Sequence, residues 1–265
     1  MSVHEEIKEQ QKKLKGQGFK AHWDYFWEYY KIHTVVAIAV IVFLAVLIHD
    51  VTNSKPYGFY AMLVNSSASA AQDTLESEFV EYGQIDTENY DCLIDTSSSY
   101  NLQIIDEATI ATSQKIMAII AAGELDVMVI DLDLFTNYAN QQTFCDLREV
   151  LSAEQVAKYQ DKFFYVDQAY IDYLNSDEYQ NYIATGEFDE TNKYAVMADN
   201  YNRDFTLPNT DPDEMENPIP VGIIMEDSPV LERVGAYNGL TPILGIVVNT
   251  GKPELATEFV EYLQP

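Results

Sequence analysis

A run of 14 residues without a polar side chain, Val35 to Ile48, constrains this chain more than any other feature. Counted outward to Tyr29 and Val51, the stretch reaches 23 residues. Hydrocarbon offers no partner for a backbone N–H or C=O, so a chain crosses a bilayer as a helix of about 20 residues. A span places Tyr29 and Tyr30 at headgroup level and lets Lys31 extend to the interface. The alternative is a core helix of a soluble protein, since apolar runs of this length are common inside globular domains. Upstream, Trp23, Phe26, Trp27 and Tyr30 fall at i, i+3, i+4 and i+7, one face of a helix. That face suits the inner membrane interface, or else docks a partner's membrane helix.

Charge is divided unevenly around the run. Residues 1–33 hold six Lys against five acids, a net of +1. Residues 51–265 hold nine Lys and Arg against 37 acids, a net of -28. Basic residues beside a span mark its cytoplasmic side, so the reading is an N-terminus inside and an acidic domain outside. More than 30 residues precede the apolar run, and Leu47-Ile48-His49-Asp50-Val51 has no small-x-small pattern. Both point to an uncleaved signal anchor, not a secretory leader. The expected organisation is a cytoplasmic tail over 1–33, a transmembrane helix over 34–50 and an extracytoplasmic α/β domain over 51–265.

The composition of that outer domain closes several function classes. So acidic a surface repels nucleic acid, whose binding rests on Lys and Arg meeting phosphate. His4, His22, His33 and His49 all precede residue 51, so the domain has no imidazole for Ser-His-Asp or Cys-His catalysis or for the commonest zinc sites. Cys92 and Cys145 make no disulfide framework, and two buried thiols are expected. Asn200-x-Asn202-x-Asp204 and the run Asp211 to Glu216 resemble calcium loops superficially, but the first lacks the EF-hand glycine and acidic pattern. Both read as solvated acidic loops, and neither a metal nor a cofactor is expected.

Past a linker at Val51–Pro56, apolar runs alternate with helical patterns. Strands are expected at 57–64, 90–95 and 125–130. Between them lie a helix with Asp73 and Glu76 spaced as a capping box, ending at Gly83, and a helix from Asp106 to Gly123. The third strand hardly alternates, as in a parallel sheet covered on both faces. Strand, helix, strand, helix, strand is the doubly wound α/β pattern. Ser152 with Gln155 caps a later helix, and Asn192 to Met197 reads as a strand. Further strands are expected at 221–225 and 242–248, with helices opening at Ser228-Pro229 and at Pro253. Tyr165, Tyr170, Tyr173, Tyr179 and Tyr182 either stack on a sugar-like ring or pack a core.

Two segments resemble extracellular solute-binding proteins of the type 2 periplasmic-binding kind. One is Ile119-Ile120-Ala121-Ala122-Gly123-Glu124-Leu125-Asp126-Val127-Met128-Val129-Ile130, continuing to Phe144-Cys145-Asp146-Leu147. The other is Gly245-Ile246-Val247-Val248-Asn249-Thr250 running into the helix from Pro253 to Leu263. The resemblance implies two α/β lobes around a cleft, and a solute captured or sensed outside a bacterial cell, beside a transporter. This chain is more compact than many such proteins, carries its own anchor in place of a lipid-attached cysteine, and shows no ligand signature.

In such a cleft, ligands meet the loops at the carboxyl ends of the parallel strands. Those loops carry Asn65, Ser66 and Ser67, then Thr96, Ser97 and Ser98, then Asp131 and Asp133. Their hydroxyls, amides and carboxylates could bond a small polar or cationic solute, though the same residue types also build turns and caps. The leading expectation is a membrane-tethered, non-enzymatic solute-binding-like protein. Its rival is a ligand-free scaffold in the cell envelope, and a hydrolase using paired carboxylates is the third class.

Overall fold

The computed structural model describes residues 18–265 except 54 and 105, without the side chains of 21, 22, 24, 25, 28, 29, 50–53 and 70. Of the tail expected over 1–33, residues 1–17 lie outside the described residues. The chain divides into two compact units, Met1–Lys55 and Pro56–Pro265.

In the first unit, helix α1 runs over Phe19–Asn53. It continues through Val51–Asn53, where a linker was expected. Within it Tyr30–His49 is 20 residues long and apolar enough to cross a membrane. Val35, Val36, Ile38, Ile41, Phe43, Leu47 and Ile48 are all exposed, unlike the side chains of a core helix. The aromatic face forms as the spacing predicts. Phe19, Trp23 and Trp27 stack in a row with successive ring centroids 6.3 Å apart, and Phe26 stacks on Tyr30 at 5.6 Å. Lys31 is exposed, and the Tyr29 side chain lies outside the described residues.

The second unit is mixed α/β. Its strands are β1 Tyr57–Leu63, β2 Asp91–Asp95, β3 Val127–Asp131, β4 Phe163–Asp167, β5 Pro218–Ile224 and β6 Pro242–Ile246. Helices α2 Gln72–Tyr82 and α3 Glu107–Ala121 connect the first three strands. Helices α4 Leu132–Asn140, α5 Leu147–Val150 and α6 Ala153–Tyr159 lead to β4. After β4 come α7 Gln168–Leu174, α8 Asp177–Thr185 and α9 Lys193–Asp204. Helix α10, Pro229–Arg233, joins β5 to β6, and α11, Pro253–Leu263, closes the chain.

All six strands join one sheet in the order β2-β1-β3-β6-β5-β4. β1 runs parallel to β2 and β3, whereas β6, β5 and β4 pair antiparallel in turn. The expected two α/β lobes are not seen among the described residues, whose strands form one sheet. The reason lies in β6, which pairs antiparallel with β3 from Val127↔Ile246 to Asp131↔Pro242 and carries β5 and β4 onto the same sheet.

Alternate residues of the central strands feed two cores. Phe59, Ala61, Leu63, Val127, Val129, Leu244 and Ile246 pack with Leu75, Phe79, Phe259 and Leu263 of α2 and α11. Tyr60, Met62, Val64, Met128, Ile130 and Ile243 pack on the opposite face with Ile116 of α3 and Phe135 of α4. Burial on both faces is why these strands read as unbroken apolar runs. A third, smaller cluster joins Tyr170, Tyr173, Tyr194, Ala195 and Ala198 of α7 and α9.

Local chemistry ends most elements as the sequence predicts. Asp106 caps α3 through Thr109 N–H, and Ser152 and Gln155 form a reciprocal capping box. Ser228 caps α10, and proline occupies the first turns of α10 and α11. Two expectations fail. Asp73 and Glu76 form no capping box, because a 3-10 turn over Ser69–Ala71 feeds α2 directly and Ala71 stands at its N-cap. The Glu76 carboxylate instead accepts from Ile94 N–H at 3.1 Å, tying α2 to β2. Residues 192–197 form a helix start, not a strand: the Asn192 side chain accepts from Tyr194 N–H, and Tyr194, Ala195 and Ala198 pack inward along one helical face.

Asp126, the acid of the resembling Gly-Glu-Leu-Asp-Val stretch, is fully buried and structural. It accepts from Tyr60 N–H at 2.9 Å, the Thr250 hydroxyl at 2.5 Å and Lys252 Nζ at 3.1 Å. Cys92 and Cys145 are half-buried, unbridged thiols. Burial pushes the Cys92 thiol up to about 12 and that of Cys145 above its usual value, so neither is a ready nucleophile.

Two strand glycines admit the aromatic packing over the sheet. Phe135 stacks on Phe144 with centroids 4.5 Å apart. A Cβ at Gly222 would meet Phe135 Cζ at 2.5 Å, and one at Gly245 would press into the Phe144 ring. Gly222→Ala should therefore destabilise the fold by about 1–3 kcal/mol. Thermal denaturation should show a fall of about 2–4 °C for each kcal/mol, and Phe135→Leu in the same chain should recover part of it.

Candidate functional site

A cavity of about 460 Å³ opens at the carboxyl ends of the parallel strands. Its lining comes from the turn after β1 (Asn65), the loop after β2 (Ser99, Tyr100, Asn101, Leu102, Gln103), and the end of β3 with α4 (Asp131, Asp133, Leu134). Asp106 and Thr109 at the head of α3 join them, with Tyr201, Phe205 and Leu207 from the end of α9 and Leu240 before β6. Chain order takes β2 to one side of β1 and β3 to the other. Loops diverge at such a switch point and leave a crevice.

Asn65 holds the floor together. It sits in the left-handed region at φ 61, which asparagine tolerates better than most residues. Its amide nitrogen donates to Asp131 Oδ2 at 2.6 Å and to the Tyr100 carbonyl at 2.9 Å. Its amide oxygen accepts from Tyr100 N–H at 2.8 Å, and its own N–H donates to the Ser98 carbonyl at 3.0 Å. One side chain thus ties the ends of β1, β2 and β3. Asp131 also caps α4 by accepting from Leu134 N–H at 3.3 Å. Asp106 caps α3, and hydrogen bonds from the Thr109 backbone and hydroxyl hold its carboxyl below the usual range.

Of the eight residues expected at a ligand, Asn65, Asp131 and Asp133 line the cavity. The others serve the scaffold. Ser66 Oγ accepts from Ala68 N–H, and Ser67 N–H donates to the Ala236 carbonyl. The Thr96 hydroxyl faces Gln72 at 3.3 Å. Ser97 and Ser98 donate to the buried Asp95 at 2.7 and 2.5 Å, and Lys115 reaches the same carboxylate at 2.7 Å. Burial alone would raise the Asp95 carboxyl, but these donors outweigh it and hold it at about 2.

Tyr100, Asp106, Tyr201 and Phe205 were not singled out as ligand residues. The first two lie just beyond the Thr96–Ser98 loop, where extending the loop to the next helix would have caught them. Tyr201 and Phe205 left no local signal, because their place depends on how a distant helix packs. That packing begins at Asp167, the last residue of β4. Its carboxylate accepts from the Tyr194 hydroxyl at 2.8 Å and from the N–H groups of Glu216, Asn217 and Ala169. Burial opposes its charge, and these four donors prevail, keeping its carboxyl below the usual range. Tyr194 thereby anchors α9, whose far end brings Tyr201 and Phe205 to the cavity. Phe205 terminates α9 at φ 52, an uncommon conformation for a bulky residue, and is substantially exposed.

Of the tyrosines flagged as either stacking platforms or core, three are buried, and Tyr165 and Tyr179 are half-buried, Tyr165 against the sheet core. Tyr170, Tyr173 and Tyr182 are buried among α7, α8 and α9, and Tyr179 packs against them. Among the described residues, no group of three or more His, Cys, Asp or Glu is placed to hold a metal ion.

No protein family, curated protein or solved structure matches the chain.

The Asn65 side chain makes three hydrogen bonds, each worth about 0.5–1.5 kcal/mol net. Asn65→Gly keeps the backbone conformation and loses the bonds; Asn65→Ala loses both. Chemical denaturation should rank stability wild type, then Asn65→Gly, then Asn65→Ala, the last down by roughly 2–4 kcal/mol. Proteolysis should find the 99–103 loop more readily in both variants.

Proposed function

We propose that this chain is a membrane-anchored solute-binding-like protein of a bacterial envelope. Helix α1 crosses the bilayer with residues 1–33 on the cytoplasmic side. The α/β unit stands outside the cell and captures or senses a small polar or cationic solute without transforming it, beside a transporter. The observation that carries the ligand reading is the charge of the cavity at the β1/β3 switch point. Asp106, Asp131 and Asp133 line it, with no Lys, Arg or His among the described residues.

Magnitudes favour a cation over an anion. Helix N-termini ordinarily attract anions, each equivalent to roughly +0.5 of a charge. Here α3 and α4 both begin at the cavity, but Asp106 and Asp131 occupy their capping positions. Three carboxylates against two half-charges leave a net of about -2. The chain's own side chains stand where an anionic ligand would bind. The cavity volume also falls in the range of small-molecule sites, about 300–1,000 Å³.

Anchoring rests on three features that agree. They are the 20-residue window Tyr30–His49, the stacked aromatic face before it, and the Lys excess of residues 1–33 beside an outer net charge of -28. One observation favours the scaffold reading instead. Ser66, Ser97 and Ser98 spend their hydroxyls on the protein itself, which leaves the expected polar loops with fewer groups for a solute.

Two measurements test the proposal. Alkaline carbonate should leave the chain in the membrane pellet, and protease added to intact cells should digest residues beyond 55 while sparing an N-terminal epitope. Recovery from the soluble fraction, or protection of the C-terminal part, would exclude the anchored topology. In detergent micelles, cationic solutes should raise the melting temperature of the full chain by a few degrees at concentrations about 100-fold above Kd, and anionic ones should not. A flat response to every solute, with a membrane protein co-purifying, would favour the scaffold.

A further inference from the structure

The cavity's charge and its walls together define a narrower class of ligand. Its three carboxylates come from separate places: Asp106 heads α3, Asp131 ends β3 and Asp133 lies in the first turn of α4. They are not placed to close on one ion, since no metal-holding group of acids exists among the described residues. A compact divalent cation needs several oxygens converging at once. Separated carboxylates instead suit separated positive charges.

The same cavity also has an aromatic and aliphatic lining. Tyr100, Tyr201 and Phe205 line the same cavity. Aromatic faces attract ammonium groups and also pack against methylenes. Acidic and aromatic groups thus share one cavity, the combination that a chain of alternating ammonium and methylene segments requires. Two of the four non-glycine residues at positive φ among the described residues, Asn65 and Phe205, belong to this cavity. Such strain collects where surrounding structure holds a functional geometry. Phe205 keeps its ring exposed at the cavity despite that conformation.

We infer that the cavity is built for a linear aliphatic amine carrying two or more ammonium groups spaced by methylenes. This rests on the cavity being the ligand site proposed above. Asp131 and Asp133 receive ammonium groups at the strand end, Asp106 receives one at the head of α3, and the aromatic side chains cover the methylenes between.

The test is calorimetric titration of the full chain in detergent micelles with spermidine, with magnesium chloride as a point-charge control. Spermidine should bind one to one, and magnesium at least tenfold more weakly, a gap of about 1.4 kcal/mol. Asp133→Asn and Phe205→Ala should each raise the spermidine Kd roughly tenfold. Both side chains are exposed, so both variants should keep the wild-type melting temperature within a few degrees. Glu187→Gln, an exposed acid outside the cavity lining, should leave Kd unchanged. If Glu187→Gln weakens binding as much as Asp133→Asn, or magnesium matches spermidine, the interaction is counterion attraction to an acidic surface and the inference is wrong. If a neutral or singly charged solute binds in place of spermidine and Asp133→Asn or Phe205→Ala weakens it, the amine class is wrong while the ligand site stands. If no solute binds, both fall.

Discussion

The floor of the cavity depends on one asparagine that ties the turn after β1 to the loop after β2 and to the end of β3. β1, β2 and β3 are parallel, so their carboxyl ends emerge side by side and their loops leave in different directions. Nothing in the ladder itself fixes those loops. Asn65 does so by bonding both backbone polar groups of Tyr100 and the carboxylate of Asp131. Few residues reconcile that role with the left-handed backbone found there. Glycine has no side chain to give, and bulkier residues pay for the conformation. The bond to Asp131 also orients a carboxylate whose other oxygen caps α4, so helix, strand and cavity share one anion.

The acids of this domain divide into two kinds. Asp95, Asp126 and Asp167 are buried and surrounded by donors: four for Asp95, three for Asp126 and four for Asp167. A buried carboxylate without such partners would cost several kcal/mol, so these acids are scaffold and unavailable to a ligand. Asp106, Asp131 and Asp133 keep an edge toward the cavity. Composition alone cannot separate the two kinds, because both are simply Asp at the end of a strand or the head of a helix. Burial and the number of donors separate them.

That division explains what could be read from the chain before its structure. Strand positions β1, β3, β5 and β6 were legible because burial on two faces leaves continuous apolar runs, and β2 because a short apolar run ends in a polar loop. Caps at Asp106, Ser152 and Ser228 were legible because capping is local chemistry. β4 was not, because Phe163–Asp167 is embedded in a Tyr-rich stretch without turn signals. The single sheet was not legible either, since the pairing of β6 with β3 joins residues more than 100 positions apart. At the site, Asn65, Asp131 and Asp133 followed from the rule that ligands meet strand ends. Ser97 and Ser98 followed from the same rule and failed, because a strand-end carboxylate, Asp95, took their hydroxyls.

The aromatic wall shows how far a site can lie from its cause. Tyr201 and Phe205 reach the cavity only because α9 is docked, and α9 is docked through Tyr194 on Asp167, at the end of the edge strand β4. Tyr194 is one of five aromatic or small residues packed between α7 and α9. The tyrosines that suggested a sugar platform thus act one step removed: they pack the helices whose far end presents the wall. The floor of the cavity is set by a local clamp among parallel strands, and its wall by a separate cluster on the opposite edge of the sheet. Floor and wall therefore rest on different interactions, so the acidic floor can persist while the aromatic cover shifts.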